Sequence, residues 1–134
     1  MIDKRTQDWI DLGRRAAACK AWRWLPGMLV APTVLSRAGR MGHRYGLVYE
    51  DQDGALHVTD VEGSDYPDLR DPATVGALLT LVRRAWGDHE IYARPDNSYR
   101  NTPWAVVRWS GGFPRETRGA SESEALVAAL ESAP

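Results

Sequence analysis

The chain holds a single cysteine, Cys19, among its 134 residues. That excludes an internal disulfide framework and a zinc site built from several cysteines, and it fits a reducing compartment. Long apolar runs are missing as well: none approaches the roughly 20 residues needed to cross a bilayer. The opening residues, Met1-Ile2-Asp3-Lys4-Arg5-Thr6-Gln7-Asp8, are polar, unlike a secretory signal. Lysine is scarce, with two residues against fifteen arginines, a bias most simply explained by a GC-rich genome and given little functional weight. Phenylalanine occurs once, at Phe113, beside six tryptophans. No excess of one charge is present either: the formal net charge is −1, so tight duplex DNA binding is not expected. Catalytic signatures are absent too. There is no Gly-rich phosphate loop, no His-Glu-x-x-His pair and no nucleophile elbow. His43, His57 and His89 are scattered. Gly87-Asp88-His89-Glu90 falls just past a helix end, where polar residues solvate a turn. No metal or other cofactor is therefore expected.

What is present suits one globular domain over residues 1–134, with 43% hydrophobic and 26% charged residues and no internal repeat. Residues 6–22 read as a first helix, with Trp9, Leu12, Ala16 and Cys19 on one face, stopped by Pro26 and Gly27. Residues 25–45 are less regular; Met28-Leu29-Val30 and Val34-Leu35 suit a short strand or a buried loop. A hairpin follows, Leu47–Glu50 and Ala55–Thr59, around Asp51-Gln52-Asp53-Gly54. Leu47 with Tyr49, and Leu56 with Val58, are its expected core-facing sets. The second helix has Asp71 as N-cap, Pro72 at N1 and an apolar stripe of Val75, Leu78, Leu79, Val82 and Trp86, ended by Gly87. Strands are expected over Glu90–Arg94, Trp104–Trp109 and Arg115–Arg118, with a turn at Ser110-Gly111-Gly112. A last helix starts from a capping box, Ser121 with Glu124, and buries Leu126, Val127 and Leu130. The order αββα-β(β)β-α, with mostly antiparallel strands and three helices packed on them, places the chain in the α+β class.

Three segments carry a resemblance. They are Asp11-Leu12-Gly13-Arg14-Arg15-Ala16-Ala17-Ala18-Cys19-Lys20-Ala21-Trp22-Arg23-Trp24, then Pro67-Asp68-Leu69-Arg70-Asp71-Pro72-Ala73-Thr74, then Trp104-Ala105-Val106-Val107 with Ala120-Ser121-Glu122-Ser123-Glu124-Ala125-Leu126-Val127-Ala128-Ala129-Leu130. In these segments, about half the chain, it resembles small uncharacterised phage and prophage proteins of the phage alpha-beta-alpha sandwich type. The resemblance implies an alpha-beta sandwich, a viral protein of phage or prophage origin, and the bacterial host cytoplasm as its location. It implies no catalytic residue.

Charge is segregated along the chain. Residues 1–46 hold nine Lys or Arg against three Asp or Glu, and residues 47–134 hold eight against fifteen. Two loops concentrate this: a basic turn with Arg37, Arg40, His43 and Arg44, and an acidic stretch with Asp60, Glu62, Asp65 and Asp68. Binding residues gather on such loops, and arginine offers directed multi-donor contacts to phosphate or carboxylate. Trp22 beside Arg23 forms a third candidate, a corner able to stack on a ring and clamp an anion, or to pack its tryptophan into the core. The expected function is that of a non-enzymatic accessory protein that binds and inhibits a bacterial host protein, in a counter-defence role. A nucleotide-sequestering protein and an enzyme whose site assembles only in the fold are the alternatives.

Overall fold

The computed structural model describes residues 4–31, 46–58 and 66–134. These form α1 (Lys4–Ala18), β1 (Leu29–Val30), β2 (Gly46–Glu50), β3 (Leu56–Val58), α2 (Pro72–Trp86), β4 (Tyr92–Pro95), β5 (Trp104–Ser110), β6 (Phe113–Gly119) and α3 (Glu122–Glu131). The strands make two antiparallel three-stranded sheets, β1-β2-β3 and β4-β5-β6. The class is α+β, with the expected strands divided between two sheets. The residues gather into two compact units. One holds α1, the first sheet and α2 as far as Ala77; the other holds Cys19–Trp22 and Leu78–Pro134.

In the first unit α1 buries Ile10, Leu12, Gly13 and Ala16. Gly13 is required by close approach, since a Cβ there would lie 2.6 Å from the Pro67 carbonyl oxygen. The helix ends at Ala18, four residues before the expected Trp22, and the chain turns with Trp22 N–H donating to Cys19 O at 3.0 Å. Cys19 is therefore outside the helix and half-buried. The hairpin forms where expected, but the inward face of β2 is reversed. Val48 is 1% exposed, while Leu47 and Tyr49 are above 40%; Leu56 shares the face of Val48 in the register and is also above 40% exposed. The cause is the pairing of β2 with the chain before β1: Val48 exchanges both backbone bonds with residues 27 and 28, and Met28 is buried beside it. Leu47-Val48-Tyr49 is apolar in both phases, so alternation alone does not choose which face turns inward.

Helix α2 starts as its sequence dictates. The Asp71 carboxylate accepts the Thr74 N–H at 2.9 Å, and Pro72 stands at the first helical position. Thr74 is fully buried and fully used, donating its hydroxyl to Asp71 at 2.7 Å and accepting the Leu29 N–H at 2.8 Å. That bond ties the helix start to β1. The deepest stripe is Thr74, Leu78, Leu81 and Val82, whereas Val75, Leu79 and Trp86 are only half-buried. The expected stripe is thus rotated toward Leu81.

In the second unit α3 lies against β6, β5 and β4. A Cβ at Gly119 would overlap the Ala125 backbone, so the strand enters the helix through a residue with no side chain. Ser121 is extended and accepts the Glu124 N–H at 3.1 Å, the serine half of the capping box. The buried face of α3 is wider than expected, adding Ser123, Ala125 and Ala129 to Leu126, Val127 and Leu130. Trp86 donates its indole N–H to Ala129 O at 2.9 Å, and Arg83 donates to Ile91 O at 2.7 Å. Both bonds fasten the end of α2 to its own unit.

Candidate functional site

The β4-β5-β6 register sets what each face of the second sheet presents. Tyr92 stands opposite Val107, Arg94 and Arg118 opposite Ala105, Glu116 opposite Val107, and Trp109 opposite Pro114. Those side chains share one face above the buried Ala105 and Val107. Arg118 organises it. Its Nη2 donates to the carbonyls of Asp96 and Thr102 at 3.0 and 2.9 Å, and its Nη1 reaches Asp96 Oδ2 and Glu116 Oε2 at 3.2 and 2.9 Å. Its guanidinium also lies 4.4 Å from the Tyr99 ring centroid. Arg94 completes the lattice on Glu116 Oε1 at 3.1 Å. The Asp96 carboxyl is held well below the usual carboxylate range by the Ser98 hydroxyl and N–H, and then by Arg118. Each cation here has its acid. This part of the face braces the β4–β5 loop and offers no uncompensated charge to a substrate.

The hairpin tip differs. Gly111 and Gly112 take φ of 58° and 80°, the left-handed pair that a two-residue turn needs. Around it Ser110 faces Phe113, Trp109 faces Pro114, and Arg108 faces Arg115. Arg108 is stacked on Trp86 at 4.0 Å from the ring centroid. Trp109 is 57% exposed and Phe113 68%, the latter the most exposed of the large apolar side chains described.

Two arrangements in the first unit are weaker candidates. His57 stacks on Tyr49 at 5.3 Å and contacts Asp51, whose carboxylate also accepts the N–H groups of Asp53 and Ala55. The Asp51 carboxyl is lowered, first by His57 and then by the Ala55 bond. This arrangement braces the turn. A shallow depression lined by residues that include Trp9, Tyr66, Asp68 and Arg70 encloses only about 10 Å³. That is far below the roughly 300–1,000 Å³ of small-molecule sites. Among the described residues, no group of three or more His, Cys, Asp or Glu is placed to hold a metal ion, and no helix is long and apolar enough to cross a membrane.

Of the binding residues expected from sequence, Arg37, Arg40, His43, Arg44, Asp60, Glu62 and Asp65 lie outside the described residues. The other three do not form one surface. Trp22 is 7% exposed, a core position with no face open for stacking, and Arg23 beside it is exposed. Asp68 is buried and accepts from the Arg70 N–H, Nε and Nη2 at 3.0 to 3.2 Å, so it fixes a turn. The hairpin residues Arg108, Trp109, Phe113 and Arg115 were no part of the expected site. Their signal was in the sequence: two aromatics and two arginines around a Gly-Gly turn, with no acid between them.

Comparison with protein-family models, with curated proteins and with solved structures finds no match.

Proposed function

We propose that the chain is a non-enzymatic accessory protein of phage or prophage origin that binds a bacterial host protein in the cytoplasm and inhibits it, in a counter-defence role. The observation that carries the binding part is the exposure of Trp109 and Phe113 at the end of the longest strand pair. Tryptophan and arginine dominate binding hot spots, and the hairpin sets both on a hydrogen-bonded scaffold. The phage origin rests on the three resembling segments alone. Binding through a surface is preferred over capture of a nucleotide because Trp109 and Phe113 are exposed at the hairpin tip.

Affinity capture of the tagged chain from bacteria, with mass spectrometry of both proteins and nucleotides, tests this reading. One host protein that co-elutes with the chain in gel filtration and loses activity in the complex is the expected result. A nucleotide retained in place of a protein, or turnover of any compound by the purified chain, overturns it.

A further inference from the structure

We infer that the β5–β6 hairpin tip recognises an acidic protein surface, with carboxylates meeting Arg108 and Arg115 beside an apolar recess that takes Phe113, which shares their face of the ladder. This deepens the protein-binding reading and rests on it.

The segment Arg108-Trp109-Ser110-Gly111-Gly112-Phe113-Pro114-Arg115 has two cations and no acid. The arginines stand directly opposite each other across the ladder, an arrangement that costs stability because like charges repel at that spacing. The same sheet shows how an arginine is neutralised when the fold requires it. Arg94 and Arg118 are matched by Asp96 and Glu116. Neither Arg108 nor Arg115 has a carboxylate partner among the described residues; the Arg108 guanidinium instead lies over the Trp86 ring. Its charge is thereby oriented and left unneutralised. The exposed aromatics are equally unneeded for the turn, whose geometry is supplied by Gly111 and Gly112. Local choices that work against the fold, gathered at one place, are the mark of a contact surface. A pair of carboxylates between the two guanidiniums would remove the repulsion, and arginine's fork suits carboxylate bidentately.

The number of cations decides against the other polyanions. Nucleic-acid binders neutralise about 6–10 phosphates, and lipid-surface segments gather about 4–8 basic residues. Two arginines fall short of both. The same unit also carries Glu122, Glu124 and Glu131 on α3, which oppose a long anionic strand or sheet of headgroups.

Random-peptide selection against the purified full chain tests the inference, using two variants, Arg108→Gln/Arg115→Gln and Phe113→Ser. Thermal melts confirm that both fold. Selected peptides should place acidic residues around an apolar one, bind wild type in a salt-sensitive way, and lose about tenfold or more in each variant. Peptides without acidic enrichment, or equal binding to the variants, overturn the inference. So does tighter binding of oligothymidylate, or of equimolar phosphatidylglycerol–phosphatidylcholine vesicles, that depends on the same three residues. A captured host protein that binds the arginine variant as tightly as wild type overturns this inference and leaves the proposed function standing. Acidic peptides selected with no host protein captured overturn the proposed function and leave this inference standing.

Discussion

Leu78 and Leu79 are neighbours on α2, chemically identical, and stand in different surroundings. Leu78 is 0% exposed, while Leu79 is half-buried. Truncating a fully enclosed leucine loses its transfer free energy and leaves a cavity, about 2–5 kcal/mol in all. The upper part of that range, about 3–5 kcal/mol, is expected for Leu78→Ala because close-packed side chains on a helix collapse little. Leu79→Ala removes a side chain that is already partly exposed and leaves no enclosed void, so roughly 1 kcal/mol is expected, well below the value for a fully buried leucine. Urea titration followed by far-UV circular dichroism reads the difference. With a slope of about 1.5 kcal/mol per molar urea, a gap of about 2–4 kcal/mol separates the midpoints by roughly 1.3–2.7 M. Equal midpoints, or a larger loss for Leu79→Ala, would refute the orientation of α2 and with it the stripe through Leu81 and Val82.

Gly13→Ala should destabilise by about 1–2 kcal/mol, although alanine favours a helix by about 1 kcal/mol, because its Cβ meets the Pro67 carbonyl at 2.6 Å; a gain in melting temperature would disprove the close approach. Ser121→Ala should cost about 1 kcal/mol in the same titration, with Ser121→Asn nearly neutral, since either oxygen accepts the Glu124 N–H. The Asp96 carboxyl is lowered in the folded chain, first by Ser98 and then by Arg118, so its contribution is fully present above the unfolded value of about 4 and is lost as pH falls through the folded value. Melting temperatures from pH 7 down to pH 2 should therefore fall less steeply for Asp96→Asn than for wild type; parallel curves would remove the carboxylate from the brace.

The parts of the fold that were legible in sequence are those fixed by local chemistry. Asp71-Pro72, Ser121 and Gly111-Gly112 each satisfy or release specific backbone groups, and each element begins or turns where they stand. Phase and partnership were less legible. Leu47-Val48-Tyr49 is apolar on both faces, and only pairing with residues 27 and 28 turns Val48 inward. The same holds for α2, where Thr74 joins the buried stripe because Asp71 and Leu29 satisfy its hydroxyl, a partnership 45 residues away in the case of Leu29. For the site, charge clustering along the chain drew attention to Asp68 and Trp22, which the fold uses internally. The hairpin arginines escaped notice because the net charge of their neighbourhood is ordinary. Only the register shows that Arg94 and Arg118 consume the acids and that Arg108 faces Arg115.

The three-stranded order β4-β5-β6 leaves its two outer strands without a further strand partner among the described residues. Such margins invite other chains to add themselves by backbone pairing. Here one margin is only four residues long and ends in Pro95, and the other carries Pro114, Arg115, Glu116 and Arg118. Proline withholds a donor, and charged side chains resist being stacked against copies of themselves. Self-assembly into fibres is thereby discouraged at both margins by residues that also serve the hairpin and the brace. A variant that made β6 apolar to strengthen a contact would at the same stroke open a route to aggregation.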